Sequence, residues 1–303
     1  MSEYSLLAKL YGVRGSFPIA PKEGTKYGGN TTCLLARTPN HVLIIDAGSG
    51  IAQAGNDLVP EILAHMEKSK DPFHITLMFS HTHIDHLIGF PFFAPLYMPG
   101  VHLTLVGPAT LGVDFEDILS TFVEPQYFPV SMDEFRCSKT FENISENMVV
   151  YFKDNSPEPH FADVGDVLPD KVSMSVSNIK YYFHPKDGNY IYKINWGDRS
   201  LVFATDVEQY VGSDQRLIKH AEGCDVLIHD AQYTLEQYLK FQGYGHSTYE
   251  MACEAAIKAK AKKLLLYHHA PNNDDNVLED IEKKAKLKFP NSELAFEGWE
   301  WRL

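Results

Sequence analysis

Cysteine is scarce in this sequence: four in 303 residues, at positions 33, 137, 224 and 253, with no CxxC pair among them. That spacing excludes a disulfide framework and a thiolate zinc site, and it predicts four buried free thiols. Long apolar runs are absent as well. No stretch approaches the ~18 residues a membrane span requires and no tract is of low complexity, which excludes integral-membrane, fibrous and disordered classes. The start, Met1-Ser2-Glu3-Tyr4, lacks the basic region of a secretory leader, so the cytoplasm is the expected location. Positive charge is in short supply too. Lysine and arginine number 27 against 40 aspartate and glutamate, a net charge of −13, and such a field repels a long nucleic acid.

What remains, 44% hydrophobic and 22% charged residues, describes a soluble globular chain with a large core. Its first part reads as short strands, Leu6 to Val13, Cys33 to Arg37 and His41 to Ile45, separated by Gly, Pro and Asn. A helix follows near Ile51, then a buried strand from His74 to Phe79 and another from Val101 to Gly107. Residues 108–145 interrupt this rhythm with phenylalanines, tyrosine and the prolines at 125 and 129, and read as an inserted, lid-like segment. Strands resume at Met148 to Phe152, Val172 to Phe183, Tyr190 to Trp196 and Ser200 to Ala204, the last two joined by a hairpin at Gly197-Asp198-Arg199. Alternation then sets in: helix Gln215 to His220, strand Asp225 to His229, helix from Ser247, strand Lys263 to Tyr267, helix Val277 to Leu287. No linker divides the chain, so a single domain over residues 1–303 is expected, with two halves that face each other through packed sheets and carry their helices outside.

The chemistry concentrates where the strand from His74 runs out, in Ser80-His81-Thr82-His83-Ile84-Asp85-His86. A loop there can turn His81 and His83 towards one point and Asp85 and His86 towards a neighbouring one, which is the geometry of two metals. Imidazole and carboxylate without thiolate suit Zn²⁺ first, with Mn²⁺ or Fe as alternatives, at sites that keep a position open for water.

This run, with Asp46 at the end of Ile44-Ile45-Asp46-Ala47-Gly48, resembles the HxHxDH motif and preceding aspartate of metallo-β-lactamase-fold hydrolases. The likeness extends over nearly the whole chain. It implies an α/β fold, a four-layer αββα sandwich of two mixed β-sheets with outer helices. His184 before Tyr190-Ile191-Tyr192, Asp206 in Ala204-Thr205-Asp206, and His268 after Leu264-Leu265-Leu266-Tyr267 resemble the family's remaining ligands. The implied cofactor is two divalent metal ions, with His81, His83 and His184 on one, Asp85, His86 and His268 on the other, and Asp206 bridging. Such a pair would supply a hydroxide nucleophile at neutral pH. The adjacent His269 is the alternative to His268, and the strand pattern favours His268. Asp46 is expected to hold the His-rich loop by hydrogen bonds without binding metal.

His229-Asp230-Ala231 and His246-Ser247-Thr248 resemble motifs of the ribonuclease Z and related phosphodiesterase branch. Ser247 with Glu250 reads as a capping box placing His246 just before a helix. The resemblance implies that Asp230 orients His246 as general acid for a leaving alkoxide, with Asp85, Asp230 and His246 as catalytic residues. Aspartate stands here where the ribonuclease motif has glutamate, one methylene shorter. Gly12-Val13-Arg14-Gly15-Ser16, Tyr27-Gly28-Gly29-Asn30-Thr31 and Phe90-Pro91-Phe92-Phe93-Ala94-Pro95 resemble a cyclic-nucleotide phosphodiesterase-like group, by packing or by substrate contact. Asp46-Ala47-Gly48-Ser49-Gly50 lacks the lysine of a phosphate loop.

The function implied is hydrolysis of a small phosphodiester or nucleotide, a 3′,5′-cyclic nucleotide first. The alternatives are a ribonuclease Z-like RNA-processing endonuclease and a diiron redox protein on the same fold. The aromatic segment from Phe115 to Phe141, with Phe90 to Tyr97, is expected to cover the site as a lid, or as a wall completed by a second copy in a homodimer. His41, His65, His74, His102, His160 and His220 are scattered singly and are expected to take no part.

Overall fold

A computed structural model describes residues 6–21, 24–209 and 213–302. The leader reading of the first residues falls outside them. Among the described residues no helix is long and apolar enough to cross a membrane.

Among the described residues fifteen strands form two sheets, and each sheet begins as a meander and ends as parallel crossovers. In the first, β1 (Leu6–Gly12), β2 (Cys33–Arg37) and β3 (Val42–Ile45) run antiparallel. Parallel β4 (Phe73–Met78), β5 (Val101–Gly107) and β6 (Ser138–Asn143) extend the sheet from β3. In the second, β7 (Met148–Lys153), β8 (Pro159–Asp163), β9 (Val172–Tyr181), β10 (Asn189–Trp196) and β11 (Arg199–Ala204) pair antiparallel. Then β12 (Val226–Asp230), β13 (Leu264–Tyr267) and β14 (Ser292–Leu294) join in parallel, while β15 (Glu300–Arg302) returns to pair with β1.

The helices are α1 (Ile51–Met66), α2 (Ile84–Leu87), α3 (Phe115–Phe122), α4 (Gln215–His220), α5 (Leu235–Phe241), α6 (Tyr249–Ala259) and α7 (Asp275–Lys288). Strands at the centre read as unbroken apolar runs because both their faces are covered. In β3, Leu43 and Ile45 pack between the sheets while Val42 and Ile44 pack with Ile51 and Leu58 of α1. In β12, Val226 and Ile228 face the other sheet, whereas Leu227 meets the layer of Leu217, Ala252 and Leu278. Period-two alternation thus distributes each strand between a central core and an outer one, which produces the four layers expected.

The segment expected as an inserted lid is largely built into this framework. Its β6 adds a strand to the first sheet, and Phe115, Leu119 and Phe135 are buried in that sheet's outer core. Aromatic rings with prolines between them mimic a mobile cover in sequence, yet here most of them have a sheet face to pack on. The part that remains open is a groove lined by Thr82, Ile84, Phe92, Phe122, Tyr127 and Phe128 beside the His-rich loop. All four cysteines are free and buried.

Candidate metal centre

Strand ends converge on one edge of the sandwich, where the parallel strands β4, β11, β12 and β13 all present their carboxyl ends. Main chains leaving such ends diverge and open a crevice, the usual place for a ligand in α/β sheets. Asp46 after β3, Asp206 after β11 and His268 after β13 all take left-handed backbone, with φ of +65°, +56° and +63°. Asp and His tolerate this region better than branched residues, and each bend turns a ligand-type side chain sharply inward.

The structure brings the candidate ligands together in two groups. Coordinating atoms of His81, His83 and His184 lie within 4.8 Å of one another, and so do those of Asp85, His86, Asp206 and His268. Asp206 joins the groups: Oδ1 is 3.8 Å from His81 Nε2 and 3.6 Å from His184 Nε2, while Oδ2 is 3.2 Å from His86 Nε2 and 3.3 Å from His268 Nε2. His83 Nδ1 lies 3.0 Å from His184 Nε2. Asp85 and His86 ride on the single turn α2 and not on an irregular loop. His268 is the inward residue of its pair, with Nε2 3.3 Å from Asp85 Oδ2, whereas His269 Nε2 points to the Ala295 carbonyl at 2.8 Å.

The far nitrogens are held from outside, as metal-binding imidazoles require. His86 Nδ1 lies 2.8 Å from Asp46 Oδ2, and Asp46 also accepts from Ser80 N and Oγ at 2.7 and 2.8 Å. His268 Nδ1 lies 2.8 Å from Gln232 Oε1, and His184 Nδ1 is 3.2 Å from the Gly245 carbonyl. Asp46 therefore makes the hydrogen bonds expected of it to the His-rich loop, while Gln232 carried no signal in sequence because nothing marks one glutamine as a neighbour of a distant histidine.

Two observations show that these residues fit two cations. His81 Nε2, His86 Nε2 and His268 Nε2 are buried and have no hydrogen-bond partner, despite nearby carboxylate oxygens. Buried nitrogens without partners are costly unless something coordinates them. The charges agree. Burial opposes ionisation of Asp206, but His268, His86 and His81 outweigh it and hold the carboxyl well below its usual range. Burial likewise lowers His86, yet Asp85, Asp206 and Asp46 reverse this and raise it well above an ordinary imidazole. Burial first, reinforced by neighbouring histidines against the pull of Asp206, keeps His81 and His184 neutral, the latter lowered to about 4, which leaves their lone pairs free to coordinate. Carboxylates in this cluster draw in positive charge, and His81 and His184 supply neutral donors.

Beside the second group stands another pair. His246 Nδ1 lies 2.8 Å from Asp230 Oδ2, and Asp230 Oδ1 accepts from Ser247 N at 2.9 Å and Gln232 N at 3.1 Å. The shorter aspartate thus reaches. The capping box expected at Ser247 does not form: Thr248 is the N-cap of α6 and accepts from Met251 N, while Ser247 Oγ donates to the Val207 carbonyl and accepts from Gln209 N. His246 is therefore placed by Asp230 and not by a helix end. Its ring stacks on His268, centroids 5.0 Å apart.

The glycine-rich runs serve this frame. Ser16 N donates to Asp85 Oδ2 at 2.8 Å, and a Cβ on Gly15 would lie 2.4 Å from His268 Nδ1. Arg14, 1% exposed, donates to the carbonyls of Gly28, Ala270 and Asn273 and so ties three loops together. Asn30 and Thr31 bond Ser49 and Glu297, and Phe90 and Phe93 are buried, so these residues have packing partners within the frame. None of the six solitary histidines joins a ligand group among the described residues.

Comparison with known proteins agrees with this architecture. The family model described as "Beta-lactamase superfamily domain" matches residues 41–269. The ribonuclease Z of Picrophilus torridus is 33% identical over 137 residues, 44% of this chain and 42% of that protein, so the aligned part spans less than half of that relative's length. Among solved structures, the metallo-β-lactamase fold protein YhfI from Bacillus subtilis superposes with a TM-score of 0.64 at 18% identity, covering 98% of both chains. Human tRNase Z, short form, gives 0.61 at 18% identity over 97% of this chain and 98% of that one. The fold, the matched span and the convergence of ligands at the strand ends lead to one conclusion: this chain belongs to the metallo-β-lactamase superfamily.

Proposed function

We propose that the protein is a metal-dependent phosphodiesterase acting on a small substrate, with a 3′,5′-cyclic nucleotide as the first candidate. The observation that carries this reading is the Asp230–His246 pair, 2.8 Å long, set against His268 at the edge of the ligand groups. With Nδ1 occupied by Asp230, Nε2 is the nitrogen able to deliver a proton. A phosphodiester with a poor leaving alkoxide needs such an acid, and an activated ester does not. His81, His83 and His184 would hold one ion, Asp85, His86 and His268 the other, and Asp206 both. When bound, two divalent ions polarise a phosphoryl oxygen and lower the pKa of water. Zn²⁺ is the first choice for these nitrogen and oxygen donors, with Mn²⁺ or Fe as alternatives.

RNA processing is the second reading, favoured by the ribonuclease Z relatives. A net charge of −13 opposes it, since precursor transfer RNA is a long polyanion. The test is a side-by-side measurement of kcat/KM, at one metal content and near-physiological salt, on cyclic AMP, cyclic GMP, bis-p-nitrophenyl phosphate, precursor transfer RNA and a β-lactam. Cyclic nucleotides should exceed the last two. Faster cleavage of the transfer RNA would reverse the order of the two readings.

A further inference from the structure

Between α5 and His246 the chain makes a turn, Gly243-Tyr244-Gly245, that the metal centre by itself does not account for. Both glycines are left-handed, with φ of +90° and +92°, and a Cβ on Gly245 would lie 2.1 Å from His184 Nδ1. Only glycine lets the main chain approach the ligand this closely. From inside, the fully buried carboxylate of Glu208 accepts from Gly243 N through Oε1 and from Gly245 N through Oε2, both at 2.8 Å. Hydrogen bonds to a charged acceptor are the stronger kind, so two of them pin the turn at both ends.

What the pinned turn displays is an aromatic ring. Tyr244 is 62% exposed and stacks on Phe241, 41% exposed, with centroids 5.8 Å apart and planes inclined by 23°. Phe241 lies on Tyr233 at 5.7 Å, and Tyr233 meets His246 edge-on at 5.6 Å and 90°. A row of three rings thus runs from the acid outward to solvent. A general acid touches the leaving oxygen, so whatever that oxygen carries lies on the acid's side of the site. The apolar groove near Phe92 borders Thr82 and Ile84 and has no such relation to His246.

We infer that Tyr244 and Phe241 form a stacking platform for a planar ring on the leaving-group side of the substrate, and the chemical class that offers such a ring next to a phosphate ester is a nucleotide base. The inference rests on the phosphodiesterase reading and sharpens it. Stacking on aromatic side chains is tolerant of base identity, so adenine and guanine should be accepted alike. Glu208 acts through the turn and is a positioning residue.

The experiment compares binding of adenosine 5′-monophosphate and of inorganic phosphate to metal-loaded protein by calorimetry. The variants are Tyr244→Ala, Phe241→Ala, their double, Tyr244→Phe, and Leu239→Ala as an exposed control without a ring. Wild type should bind the nucleotide at least tenfold more tightly than phosphate. Each alanine should weaken the nucleotide by about 5- to 150-fold, the span of one base–ring stack, and change phosphate less than threefold. Tyr244→Phe should retain nucleotide binding because the ring, not the hydroxyl, does the stacking. With a nucleotide substrate, KM should rise and kcat stay within threefold. Equal losses for nucleotide and phosphate, or no preference for the nucleotide in wild type, would overturn the platform. Nucleotide binding through Tyr244 without turnover of any diester would keep the platform and reject the phosphodiesterase. Turnover of diesters with nucleotide affinity unmoved by the alanines would do the reverse.

Discussion

His81 shows how a single side chain can be assigned by what it lacks: a buried Nε2 with no hydrogen-bond partner, facing Asp206. His81→Ala should therefore reduce bound metal and abolish hydrolysis while the circular dichroism spectrum is unchanged, and full metal content with intact activity would remove His81 from the ligand set. For His246 the leaving group is the discriminating variable. His246→Ala should slow an alkyl diester by roughly 10²- to 10⁴-fold and bis-p-nitrophenyl phosphate far less, with Asp230→Asn showing the same bias because it withdraws the partner that sets the imidazole. Equal losses on both substrates would assign His246 to structure. Away from the centre, burial lowers His220 from 6.5 to about 4. The unfolded chain takes up this proton as pH falls through about 6.5 and the folded chain does not until about 4, so the unfolded state binds more protons between those values and stability declines there. The denaturant midpoint of metal-free protein should drop from pH 7 to pH 5, and His220→Gln should flatten that slope; an unchanged slope would show that His220 is not its source.

Strands and helices differ in how plainly their residues announce them. The strands β3, β4, β11, β12 and β13 were legible because each is an apolar run ending in a polar or ligand residue, which is what a strand covered on both faces and opening on a crevice must look like. Short edge strands β8, β14 and β15 and the helix α5 were not, since edge strands of mixed exposure carry little period-two signal. Ser247 with Glu250 satisfies the capping pattern as well as any pair, yet its hydroxyl is engaged by Val207 and Gln209, and the cap passes to Thr248. Thr248→Ala should accordingly cost about 1 kcal/mol, read from the denaturant midpoint, with kcat retained. A neutral Thr248→Ala would mean that α6 is held by its apolar face alone, through Ala252, Cys253 and Ala256.

At the scale of the molecule, the centre joins the two sheets: Asp46, His81 and Asp85 come from the first half, and His184, Asp206 and His268 from the second. Ions bound there link both halves and bind the folded state in preference to the unfolded one. Chelation should lower the unfolding temperature reversibly, and metal at about 1,000 times its dissociation constant should contribute about 4 kcal/mol. An unfolding temperature indifferent to chelator would show that the halves hold together without the centre. The net charge of −13 belongs to this scale as well, because a summed negative field opposes a polyanion more strongly than a singly charged diester.

The sequence by itself determined the alternation of strands, the order of the ligand-type residues and the class of metal chemistry, because strand periodicity and the HxHxDH spacing are local properties of consecutive residues. Tertiary structure decided what depends on distant pairs. It chose His268 over His269, since the left-handed bend after β13 turns one ring inward and sends the other to the Ala295 carbonyl. It converted the aromatic segment from a cover into a sheet edge and outer core, because β6 found β5 as a partner. It also set Glu208 beneath a turn some thirty-five residues away. A buried carboxylate can be recognised only by the donors that surround it, and those donors lie outside any local window of sequence.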